Sequence, residues 1–178
     1  MDKLIIKGNA KISGSVNVHG SKNSALPIIV SSLLSKKTLK LSNVPNVVDV
    51  LNLIKLLKNY GVKIEHKKNK LKINPSKIKN LSADYDVVRK MRASILILGP
   101  LLSRFGEARI SLPGGCAIGT RPIDIHLAGL SKLGANFEIQ NGFVVGSVKS
   151  QLIGNKIKLP FPSVGATENI LMASVLAL

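Results

Sequence analysis

Little in this sequence could build a covalent or aromatic framework. It holds one cysteine, no tryptophan, four phenylalanines and two tyrosines in 178 residues. The lone Cys116 excludes an intramolecular disulfide and leaves too few thiols for a structural zinc site. That usage fits a reducing compartment, so a cytoplasmic location is expected. Acidic residues are scarce as well: nine Asp and Glu stand against 26 Lys and Arg, a formal charge of +17. No h-region follows Met1-Asp2-Lys3, and no apolar run reaches the roughly 20 residues that a membrane helix needs, so no membrane partner is expected. His19 and His126 lack metal-ligand spacing and no second carboxylate lies beside Asp124. Neither a metal nor another cofactor is expected.

The basic excess invites a nucleic-acid reading, because clustered cations displace counterions from phosphates. Its distribution points elsewhere. Lysines alternate with aliphatics in Lys70-Leu71-Lys72-Ile73 and Lys156-Ile157-Lys158-Leu159, the pattern of a strand with one face in water. Only five residues are Arg, so base-reading forks are few, and stacking platforms are few too. A solvated basic surface is expected and no nucleic-acid partner, although anionic small substrates could exploit the same field.

With 45% apolar residues the chain can bury one substantial core. Two stretches look alike: Leu57-Lys58-Asn59-Tyr60-Gly61-Val62-Lys63-Ile64-Glu65 and Leu130-Ser131-Lys132-Leu133-Gly134-Ala135-Asn136-Phe137-Glu138, offset by 134 − 61 = 73. Each reads as a helix end, a left-handed glycine and a strand start. Val47, Val50, Leu51, Ile54 and Leu57 fall at helical spacing before the first, and Ile123, Leu127, Leu130 and Leu133 before the second. Pro122 suits the first turn of that second helix.

A nearly all-apolar helix also recurs. Gly20-Ser21 opens Ala25 to Leu34 and Gly165-Ala166 opens Ile170 to Leu178, an offset of 165 − 20 = 145, with Met91-Arg92-Ala93-Ser94 and Ile95 to Leu98 between them. The chain therefore reads as a unit of roughly 73 residues repeated about two and a half times. Three apolar helices, expected to be buried, would pack inside amphipathic helices and sheets. Strands are expected at Lys11 to Val18, Leu39 to Leu41, Lys70 to Ile73, Ala108 to Leu112 and Phe143 to Val145. The final run, Ile170 to Leu178, stops without a cap or a following strand, the pattern expected of a piece of a longer protein.

The stretch Leu112-Pro113-Gly114-Gly115-Cys116 through Arg121-Pro122-Ile123-Asp124 carries the most chemistry. Its glycines make a mobile or tightly turned loop, and an arginine and a helix start both lower a nearby thiol's pKa. Cys116 could thus serve as acid or nucleophile; equally, it could be a small buried apolar residue. Gly20-Ser21-Lys22-Asn23-Ser24 feeds a helix whose free N–H groups make a plausible anion seat, and Pro27 sets the expected helix start near Ser24. It lacks the Walker spacing. Lys22 alone could be a solvated surface lysine. Arg92 borders the apolar run Ala93 to Leu98 and wants either an anion or a pairing with Asp84 or Asp86.

Together these segments, with Pro162-Ser163-Val164-Gly165-Ala166-Thr167, resemble the UDP-N-acetylglucosamine enolpyruvyl transferases, in the superfamily that also contains 5-enolpyruvylshikimate-3-phosphate synthase. The resemblance runs from Met1 to Leu178. It implies an α/β fold, the inverse α/β prism built from βαβαββ repeats, about two and a half of them present. It implies that residues 1–20 belong to a second, mostly absent domain, and that 21–178 form an incomplete first prism domain. It also implies transfer of the enolpyruvyl group of phosphoenolpyruvate to the 3-hydroxyl of UDP-N-acetylglucosamine with release of phosphate, a step of peptidoglycan synthesis.

The roles carried over are specific. Cys116 would protonate the methylene carbon, form a covalent adduct and be the residue that fosfomycin alkylates. Lys22, Asn23, Arg92 and Arg121 would hold phosphoenolpyruvate. Arg92, Arg121, Pro122, Ile123, Asp124, Ile125, Ser163, Val164 and Gly165 would hold the nucleotide. Phe161 departs from the pattern, standing where some members carry a basic residue. Members are more than twice this length, and their second domain supplies an aspartate base and a further arginine, so no turnover is expected of these 178 residues alone. The competing readings are a shikimate-type synthase, a polyanion-binding or nucleic-acid-binding remnant of the scaffold, and an inactive gene product.

Overall fold

The computed structural model describes residues 3–9, 11–78, 81, 92–111 and 123–178, without the side chains of residues 92 and 93. Two like units follow one another. In the first, helix α1 (Lys22–Ser31) runs into a 3₁₀ turn (Ser32–Leu34), then strand β1 (Leu39–Leu41), helix α2 (Val48–Asn59) and a hairpin of β2 (Lys63–Lys67) and β3 (Lys70–Asn74). In the second, a 3₁₀ turn (Arg92–Ile97) leads into α3 (Leu98–Phe105), then β4 (Glu107–Ser111), α4 (Asp124–Lys132) and a hairpin of β5 (Ala135–Gln140) and β6 (Phe143–Val148). Helix α5 (Val164–Ser174) opens a third unit.

Each sheet is antiparallel, with the last strand of its unit in the middle: β1-β3-β2 and β4-β6-β5. The expected glycines close the two outer helices. Gly61 has φ 92° and Gly134 φ 99°, left-handed values that a side chain would strain. Both hairpins turn on two residues, Lys68-Asn69 and Asn141-Gly142, again 73 apart, and Lys68 and Asn141 both take positive φ. The strand alternation buries Leu71 and Ile73 on one face of β3 and leaves Lys70 and Lys72 in water.

Four expectations need correction. Lys11 to Val18 is not a strand: residues 3–9 and 11–21 enter no helix or sheet, and Leu4, Ile5, Ile6, Ile12, Val16 and Val18 are 75% to 98% exposed. Without a neighbouring strand to take its backbone hydrogen bonds, an alternating segment has no reason to become one. Secondly, α1 begins at Lys22 with Pro27 inside it. Proline lacks the N–H that would engage the Asn23 carbonyl, but the helix tolerates this one turn from its start. Thirdly, the N-caps Ser21 and Ser163 set the helix correspondence at 163 − 21 = 142 rather than 145. Fourthly, the apolar helices are not buried all round, since Ile28, Leu171 and Val175 are exposed.

The central helices run parallel. Helix α1 lies beside the 3₁₀ turn that begins at Arg92, while the 3₁₀ turn after α1 lies beside α3. Asn169 of α5 bonds at Ile95 and Gly99, and Ala173, one turn later, packs against Gly99. A Cβ on Gly99 would collide with Asn169, so glycine is what lets these two helices touch. Helix α4 follows the same direction on α5, His126 meeting Gly165 and Asn169 and Gly129 meeting Ile170. The interior so formed is aliphatic: Ile29, Val30, Leu33, Leu53, Leu56, Ile97, Leu98, Leu101 and Leu130 are all fully buried.

Candidate functional site

Parallel packing has a direct consequence. The starts of α1, α4, α5 and the 3₁₀ turn at Arg92 face the same end, and with them the first-turn N–H groups that no helical carbonyl satisfies. The first turn of α2 joins them through an ion pair, Lys22 Nζ to Asp49 Oδ2 at 2.8 Å. Aligned peptide dipoles make that end attractive to anions.

Candidate residues from distant parts of the sequence lie at these starts. Lys22 and Asn23 are the first two residues of α1, both exposed. The Lys22 side chain is 47% exposed and that of Asp49 42%, so the pair is surface-screened and leaves the ammonium reachable. Gly20, just before, donates its N–H to Asn43 Oδ1 at 3.1 Å, and a Cβ there would strike the Asn43 carbonyl. Only glycine fits this approach, which fixes how the chain enters α1. Arg92 opens the 3₁₀ turn. Ile123 is the N-cap of α4, with Asp124 and Ile125 its first two residues. Ser163 caps α5, its Oγ accepting from the Ala166 N–H at 3.3 Å, and Val164 and Gly165 begin that helix. Cys116, Arg121 and Pro122 lie outside the described residues, as do Asp84 and Asp86.

Beneath this end sits a polar cluster that sequence reasoning did not single out. Asn169 is fully buried; its Oδ1 accepts from the Gly99 N–H at 2.8 Å, while its Nδ2 donates to the Ile95 carbonyl at 2.9 Å and lies 3.2 Å from His126 Nδ1. His126 is 9% exposed, and burial lowers its pKa against an opposing pull from Asp124. Asp49 was also missed. The available signal was its place as a rare acidic residue at a helix start; that it reaches Lys22 depends on packing between helices 27 positions apart. Asn169 offered a signal too, as a polar residue heading the apolar run Ile170 to Leu178.

A cavity of about 160 Å³ runs along α4 from its start to its last residue, lined by Asp124, Ile125, Ala128, Gly129 and Lys132 of the helix and by residues 157–160. It is smaller than the roughly 300–1,000 Å³ of drug-sized ligand sites, so it suits one ring rather than a whole sugar nucleotide. Phe161, next in the chain, is 55% exposed and offers packing but no charge.

The family model for EPSP synthase (3-phosphoshikimate 1-carboxyvinyltransferase) matches residues 6–178. Among curated proteins, a UDP-N-acetylglucosamine 1-carboxyvinyltransferase of Campylobacter jejuni is 52% identical over 177 residues, covering 99% of this chain and 42% of that protein. A UDP-N-acetylglucosamine 1-carboxyvinyltransferase 1 of Halalkalibacterium halodurans is 49% identical over 178 residues, covering 99% of this chain and 40% of that protein. The chain thus spans about two fifths of these relatives' length. Among solved structures, the enolpyruvyl transferase NikO of Streptomyces tendae superposes with a TM-score of 0.78 at 19% identity, over 96% of this chain and 40% of that one. An EPSP synthase of Acinetobacter baumannii gives 0.71 at 20% identity, over 92% and 38%. Both show that the backbone has the enolpyruvyl transferase fold.

Proposed function

The chain belongs to the EPSP synthase family, and on that footing we propose that it forms the phosphoenolpyruvate-binding and nucleotide-binding wall of an enzyme that transfers an enolpyruvyl group to the 3-hydroxyl of UDP-N-acetylglucosamine with release of phosphate. The observation that supports the reading is that parallel helices start at one, anion-attracting end, with Lys22 and Asn23 opening α1, Asp124 and Ile125 opening α4, and Val164 and Gly165 opening α5. In the reaction the sugar hydroxyl adds to C2 of phosphoenolpyruvate as C3 takes a proton, and loss of phosphate with a C3 proton restores the double bond. Lys22 and Arg92, with Arg121, spread positive charge over the phosphate that leaves. Cys116 supplies the C3 proton as general acid. Asp124 and Ile125 line the ring-sized cavity for the uracil, and the N–H groups at Val164 and Gly165 face the diphosphate.

Residues 1–20 pack on a second lobe in this reading, and 21–178 are the larger part of the first. The run of exposed aliphatics between Leu4 and Val18 supports it, since so much solvated hydrocarbon implies a covering surface. Acceptor deprotonation needs a base from that second lobe. The 178-residue chain should therefore bind UDP-N-acetylglucosamine without turning over. Thermal denaturation with UDP-N-acetylglucosamine, and in parallel with UDP and N-acetylglucosamine, tests this: a rise in Tm for the first two only is expected, with no phosphate freed from phosphoenolpyruvate. No rise with any nucleotide, or nucleotide-dependent phosphate release, contradicts it.

A further inference from the structure

We propose that Asn169 locks His126 in its Nε2–H tautomer, and that this uncharged N–H is a donor to the anion held at the Ser163–Gly165 turn. Hydrogen-bond saturation fixes the tautomer. The Gly99 N–H needs an acceptor and the Ile95 carbonyl needs a donor, so the Asn169 amide can face only one way, Oδ1 on Gly99 at 2.8 Å and Nδ2 on Ile95 at 2.9 Å. That leaves the second Nδ2 hydrogen for His126 Nδ1, 3.2 Å away. An imidazole nitrogen that accepts carries no proton, so the proton sits on Nε2. An imidazolium would set an Nδ1–H against an Nδ2–H inside the core, and burial disfavours that charged form as well.

The Nε2 edge is aimed at the helix start. A Cβ built on Gly165 would lie 3.4 Å from His126 Cε1 and 3.6 Å from Nε2. The missing side chain at position 165 thus keeps the N–H edge uncovered next to the first turn of an 11-residue helix. A ring nine-tenths buried, aimed at a helix N-terminus, with no Nε2 acceptor among the described residues, matches a third N–H beside the backbone donors. It lets one helix, α4, contribute to both ends of the ligand, Asp124 and Ile125 at the ring cavity and His126 at the diphosphate. The identity of the anion rests on the nucleotide reading above; the tautomer does not.

Long-range imidazole ¹⁵N correlation on the histidine-labelled 178-residue chain tests both parts. The free chain should show an acceptor-type Nδ1 and a protonated Nε2, and Nε2 should move on titration with UDP-N-acetylglucosamine and with inorganic pyrophosphate. A protonated Nδ1 overturns the proposal. So does movement of the Val164, Gly165 and Ala166 amides without Nε2, which leaves the nucleotide reading standing. A response to pyrophosphate with none to the nucleotide keeps His126 and removes that reading, and silence of both probes at ring and amides removes both. His126→Gln keeps an acceptor for Asn169 and a donor near the place of Nε2, so it should bind pyrophosphate within about threefold of the parent. His126→Phe should bind about tenfold more weakly or worse, the loss of a charge-assisted hydrogen bond. Equal affinities, or a folded His126→Gln as weak as His126→Phe, assign the ring to packing and overturn the proposal. Should His126→Phe not fold, Gly165→Ala decides: its methyl makes an ordinary contact but covers the Nε2 edge, and unchanged pyrophosphate affinity contradicts the claim.

Discussion

The two sheets have one topology and fill it with different atoms. In the first, Ile64 pairs across the ladder with Ile73; at the matching place in the second, 73 residues on, Phe137 pairs with Gly146. A Cβ at 146 would come within 2.8 Å of Phe137 Cε1 and 3.1 Å of Leu102 Cδ2. Two medium side chains in one unit are replaced by one large side chain over a bare backbone in the other. The outer faces differ further. Lys40, Lys63, Lys67, Lys70 and Lys72 with Glu65 cover the first sheet, whereas Glu107, Arg109 and Glu138 are the only charges on the second. What the repeat conserves is the register and the left-handed turn positions; the side chains that fill the inner face and the charge on the water side both vary.

The largest break should come from Ile73→Gly, which empties a fully buried site and loosens a central strand: about 4 kcal/mol by urea denaturation. Adding Ile64→Phe imports the second sheet's solution and should recover part of it, and failure to recover any would mean that the two sites are not equivalent. The reverse change, Gly146→Ile, overpacks against Phe137 and should cost about 1–3 kcal/mol, with Phe137→Ile compensating in the double variant. The pH response is smaller. Because the folded state holds His126 neutral with a lowered pKa, its contribution is fully present above the ordinary value of 6.5 and is lost as pH falls through that value toward the folded one. His126→Gln should flatten stability between pH 7 and 5 relative to the parent, and an unchanged slope contradicts the assignment. Least of all, Lys40→Glu with Lys72→Glu should shift stability by about 0.5 kcal/mol or less while weakening retention on a polyanion column. A large destabilisation would show that the lysine face is structural.

Much of this is legible in the amino-acid sequence. Gly61 and Gly134 announce the helix closures, the 73-residue offset announces the repeat, and lysine alternation fixes which face of β3 is wet, because each depends on residues a few positions apart. The long-range features were not legible. Helix α2 buries Val50, Leu53, Ile54, Leu56 and Leu57, a face rotated from the one its spacing suggested, and Leu51 turns outward. Neighbouring elements choose among apolar stripes, and a single helix pattern cannot. The Lys22–Asp49 pair and the Asn169 cluster depend in the same way on how helices are placed side by side. Lys11 to Val18 failed as a strand for the same reason, since strands are made by partners.

In the proposed function, helix starts from separate units form one anion-binding end. Amide chemical-shift mapping of the chain during titration with UDP-N-acetylglucosamine tests this most directly. The expected result is movement centred on residues 22–25, 164–167 and the cavity walls at 124–129 and 157–160, with the opposite helix ends around Ser32, Phe105 and Ser174 unmoved. Movement centred instead on Lys40, Lys67, Lys70 and Lys72, or no movement at the three helix starts, would contradict it.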